Sequence, residues 1–74
     1  MRTTLTNLLL EKMAAVGMDK YAFATLFQVR TGYRILNGEM RLRKEHIDII
    51  AEALKIPVAE LVVTQAWDEY NEGR

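Results

Sequence analysis

An all-α bundle of about five short helices is the fold this sequence predicts, on three observations. Apolar residues recur at three- and four-residue spacing in successive segments, glycine or proline punctuates each one, and no strand alternation appears before Leu61. Seventy-four residues make one small domain, and with 50% of them apolar the chain can still enclose a core.

The first segment, Leu5–Val16, places Leu5, Leu8, Leu9, Met13 and Val16 at helical spacing. Gly17 follows as a stop that tolerates positive φ. Asp19 is a good N-cap for a second helix over Lys20–Phe27, with Phe23, Ala24 and Phe27 on its apolar side. Thr31-Gly32 reads as a break, after which Tyr33–Leu36 is helical until the turn dipeptide Asn37-Gly38. The cleanest pattern is Lys44–Leu54. There Ile47, Ile50, Ala51 and Leu54 form one stripe, while Glu45, Asp48 and Glu52 face water. Pro57 suits the first turn of a fifth helix containing Val58, Leu61 and Val62. Residues 64–74 read as a polar tail with two aromatics, beyond a folded unit spanning 1–63.

Formal neutrality hides a charge asymmetry. Residues 20–44 hold six cations against Glu39 alone, and residues 45–74 hold two cations against seven carboxylates. One face is thus suited to an anion and another faces away from it, although a pI near 6.6 is low for a nucleic-acid binder. The absence of cysteine excludes a disulfide framework and a thiolate metal site, and fits a reducing cytoplasm. No apolar run approaches the ~20 residues of a membrane helix, and no secretory pattern opens the chain. No phosphate-cradling glycine loop, Ser/His/Asp arrangement or metal-ligand spacing is present, so neither catalysis nor a cofactor nor a small-molecule substrate is expected. His46, the sole histidine, reads as an exposed helix residue.

Two blocks carry a family resemblance. The first is G17-M18-D19-K20-Y21-A22-F23-A24. The second runs from Y33-R34-I35-L36-N37-G38 through I47-x-x-I50-A51-x-x-L54-x-I56-x-V58-x-x-L61. Over roughly residues 5–62 the chain resembles the lambda-repressor-like, XRE/Cro-type helix-turn-helix regulators. It departs from that pattern between Val29 and Tyr33, where it is about two residues shorter. Gln28 stands where a glycine often opens the turn, and Gly32 where the recognition helix begins.

The resemblance implies a sequence-specific regulator of transcription, a small phage-type or autoregulatory repressor, that reads double-stranded DNA as a homodimer. Gln28, Arg30, Thr31, Tyr33 and Arg34 then fall at or near base edges, where arginine matches the two acceptors of guanine. Lys20, Asn37, Arg41, Arg43 and Lys44 fall against phosphate. Leu61, Val62, Val63, Trp67 and Tyr70 are apolar residues left over after the core is filled, and they are the expected contact between subunits. Two alternatives stand beside this. The tail could fold back on helix 1 in a monomer, and the scaffold could be a protein-interaction module or an antitoxin.

Overall fold

The structure, a computed structural model, describes residues 3–72. Its first helix, α1 (Thr4–Ala15), starts where Thr3 and Thr6 cap each other. The Thr3 hydroxyl accepts from the Thr6 amide at 3.1 Å, and the Thr3 amide donates to Thr6 Oγ1 at 2.7 Å. That still leaves the amides of Thr4 and Leu5 without helical partners. They donate to the two carboxylate oxygens of Asp68, at 3.1 and 2.8 Å, from the far end of the chain. A carboxylate here also opposes the positive end of the helix dipole. Asp68→Ala is therefore expected to destabilise the fold by about 1–2 kcal/mol, read as a shift in the urea midpoint.

Helix α1 ends at Gly17 (φ +72°), where the Met18 amide reaches back to the Met13 carbonyl at 2.9 Å. Helix α2 (Lys20–Ala24) starts on Asp19, whose carboxylate accepts from the Ala22 amide at 2.7 Å. It is shorter than the pattern over Lys20–Phe27 suggested. The amides of Leu26 and Phe27 turn to carbonyls three residues back, and the Thr25 hydroxyl donates to the Ala22 carbonyl.

Helix α3 (Val29–Leu36) begins four residues before Tyr33, so Thr31-Gly32 is not a break. Gly32 lies inside α3, because α2 and α3 cross too closely for a side chain there. A Cβ on Gly32 would sit 2.3 Å from the Ala24 Cα. Helix α3 closes at Gly38 (φ +73°), with the Glu39 amide bonded to the Arg34 carbonyl at 2.9 Å.

Helix α4 (Lys44–Leu54) matches its sequence pattern, with Ile47, Ile50 and Leu54 buried and Glu45, Asp48 and Glu52 exposed. Lys55 ends it in the left-handed region at φ +58°. Helix α5 (Val58–Glu72) runs through the segment read as a polar tail. Its inner side carries Leu61, Gln65 and Asp68, so two polar residues interrupt an otherwise apolar seam.

Five helices and no strand make up the described residues, an all-α bundle as the sequence predicted. Leu9, Phe23, Ile50 and Leu61 are wholly buried at its centre. Burying side chains of this size contributes about 1.5–3 kcal/mol each. Val16, grouped with the core by its spacing, is instead 47% exposed.

Candidate nucleic-acid interface

Helix α3 is sharply two-sided. Gly32, Ile35 and Leu36 face inward. Arg30, Tyr33, Arg34 and Asn37 recur at i, i+3, i+4 and i+7 on the opposite side, all exposed. Tyr33 is exposed by 36%. Gln28 caps the start of the helix without a side-chain bond to it, and its own amide group is exposed. Thr31 lies half-buried on the flank, off the outward face. Lys20 is exposed in the first turn of α2.

The outward position of α3 follows from two packing facts. Phe23 on α2 is fully buried, and the Gly32–Ala24 approach locks α3 against that helix. Arg30, Tyr33, Arg34 and Asn37 stay exposed on the side turned away from that packing. Among the described residues, neither Arg30 nor Arg34 forms an ion pair, so two guanidinium forks point outward one turn apart.

The second basic group lies around a groove of about 810 Å³. Arg41, Arg43 and Lys44 border it, with Ile47, Val58 and Val62 among its apolar walls. The loop bearing these cations is held by α5. Leu42, between the two arginines, donates its amide to Gln65 Oε1 at 2.7 Å, and its carbonyl accepts from Gln65 Nε2 at 3.3 Å. Both bonds are buried. One turn further along α5, Glu69 Oε2 meets Arg41 Nε at 3.1 Å. With side chains 72% and 43% exposed, that pair contributes little to stability, but it occupies the Arg41 fork. Arg43 and Lys44 have no carboxylate partner among the described residues.

His46 is not the exposed residue its isolation suggested. It is half-buried, its Nδ1 accepts the Arg43 amide at 3.1 Å, and its ring meets Phe27 edge-on at 5.3 Å. His46 therefore satisfies the start of α4 and seats the residue that leads the basic loop into that helix. Its position three residues after the cap was the available signal, since that is where a capping side chain reaches back.

Of the five apolar residues expected to meet a partner, Leu61 is wholly buried and belongs to the core of its own chain. Val62, Val63, Trp67 and Tyr70 are exposed on the outer side of α5. The tail does lie on α1, through Asp68, yet that contact leaves the two aromatics outside. No helix among the described residues is long and apolar enough to cross a membrane. No family model, curated protein or solved structure matches the chain.

Proposed function

We propose that this chain is a sequence-specific DNA-binding regulator of transcription, acting as a small repressor. The observation that supports this reading best is the outward face of α3, with Arg30, Tyr33, Arg34 and Asn37 in one stripe and neither arginine in an ion pair among the described residues. A helix of this width fits the major groove, and exposed guanidinium groups at its surface can read guanine edges. Arg43 and Lys44, beside the start of α4, supply charge for phosphate, as do Lys20 and the backbone amides of the α4 terminus. Two copies bring two α3 faces to one duplex, which raises specificity above what one module achieves.

Division of labour between the two groups gives a test. Arg34→Ala is expected to weaken binding to the preferred sequence by roughly 1–3 kcal/mol and to relax one base position. Arg43→Ala should weaken binding to every sequence alike and flatten the salt dependence by about one counterion. Selection from a random DNA pool at near-physiological salt, followed by titration of both variants, checks these outcomes. Identical losses on all sequences from both substitutions would remove the reader-and-clamp assignment.

The competing reading is a protein-interaction module on the same scaffold, and the exposed apolar side of α5 favours it. Salt separates the two. Affinity for DNA falls steeply with rising salt, whereas a mainly apolar protein contact hardly responds. Failure to enrich any sequence would favour the interaction module.

A further inference from the structure

The groove beside the start of α4 has two kinds of surface. Its rim carries Arg41, Arg43 and Lys44, and its walls carry Ile47, Val58 and Val62. Val58 and Val62 are exposed by 46% and 47%, whereas Ile47 is buried. A phosphodiester backbone meets the rim alone. It brings nothing apolar to cover the two valines, so DNA leaves the walls of this groove without a use.

Shape narrows the class of ligand. Along α5 the lining residues Val58, Val62 and Gln65 follow at i, i+4 and i+7. Along α4 the lining residues Lys44, Ile47 and Asp48 follow at i, i+3 and i+4. Seven residues of α5 span about 10 Å, or two turns. The paired bonds between Gln65 and Leu42 fix the basic loop against α5, so the groove is already formed before anything enters it. A trough of about 810 Å³ between two helices suits two turns of a third, seated by side chains at i, i+3 or i+4, and i+7.

Charge narrows it further. Arg43 and Lys44 have no carboxylate partner, and Arg41 is held by Glu69. Among the described residues Asp48 is the single carboxylate of the lining, and it pairs with none of these cations.

We propose that this groove receives an amphipathic helix of a partner protein, one whose apolar face is flanked by aspartates and glutamates. Its apolar side chains cover Val58 and Val62, and its carboxylates meet Arg43 and Lys44. Those two cations cannot serve a phosphate at the same time. On the regulator reading such a partner therefore releases DNA, and this consequence alone rests on that reading.

The probe is a labelled synthetic helix of ~18 residues, long enough to be helical in water, with leucines at i, i+4 and i+7 and glutamates beside them. Titration into the whole chain should shift the methyl resonances of Ile47, Val58 and Val62. The indole signal of Trp67, outside the groove, should stay in place. Replacing the glutamates by lysines is expected to weaken binding at least ~10-fold. Val58→Asp should do the same with unchanged helical circular dichroism, because an aspartate is well tolerated in the first turn of a helix. A chain carrying Arg43→Glu and Lys44→Glu should reverse the preference and select the lysine peptide.

Equal binding of both peptides, or shifts confined to Trp67, overturns the groove. So do groove methyls that move with protein concentration alone, since a second copy is then the occupant. A chain that takes the glutamate peptide but enriches no DNA sequence keeps the groove and removes the regulator. A chain that enriches DNA and ignores the peptide does the reverse.

Discussion

Gly32→Ala is expected to destabilise this protein by about 2 kcal/mol, although alanine is the better helix former. Local propensity alone favours the substitution inside α3 by about 1 kcal/mol. The new methyl would lie 2.3 Å from the Ala24 Cα, 2.8 Å from its Cβ and 3.0 Å from its carbonyl oxygen. Those are mostly backbone atoms of a neighbouring helix, which no rotamer change can move aside. The helices must separate, and overlap of this kind costs about 3 kcal/mol or more. The net sign is therefore set by packing. Urea unfolding with an unchanged m-value checks it, and a stabilised variant would mean that α2 and α3 slide apart freely. On the proposed function, the same displacement would also move Arg30 and Arg34 and reduce specific DNA binding more than non-specific binding.

Gln65→Leu carries the other large effect. It keeps the volume of a buried side chain and removes both partners of Leu42, leaving one amide and one carbonyl unsatisfied in the interior. Each such group costs about 1–3 kcal/mol, so a loss of about 2–6 kcal/mol is expected. For a chain of this length that is a large share of a total stability of roughly 4–11 kcal/mol. Gln65→Glu separates the two bonds, since a carboxylate still accepts from the Leu42 amide but no longer donates to its carbonyl. Hydrogen exchange at the Leu42 amide should accelerate strongly in the leucine variant and less in the glutamate variant. Equal protection in all three proteins would show that the loop is held by something other than Gln65.

The sequence carried the local part of this fold and missed the part made by distant partners. Asp19 as a cap, Gly17 and Gly38 as stops and the α4 stripe were all legible, because each acts within a few residues of itself. Gly32 misled because glycine is a helix breaker by propensity, and nothing local reveals that Ala24 will press against it. The length of α5 was hidden for the same reason. Gln65 and Asp68 look like tail residues until Leu42 and the start of α1 come to meet them, 23 and 63 positions away for the closest bonds. Leu61 was drawn toward the surface by its apolar neighbours Val62 and Val63, and only the helical phase of α5 turns it inward. At the candidate site, the outward set Arg30, Tyr33, Arg34 and Asn37 follows from the sequence once α3 is given its true start at Val29.

The bond between Asp68 and the first turn of α1 makes the folded chain a closed loop, with Thr4 and Asp68 in contact across 64 positions. Helix capping and the α2–α3 crossing can form early from near neighbours, whereas this closure must wait until almost the entire chain is in place. Fraying would run in the opposite order. A protease that cuts in the last turns of α5 would release the beginning of α1 at the same moment, so damage at one extremity is felt at the other.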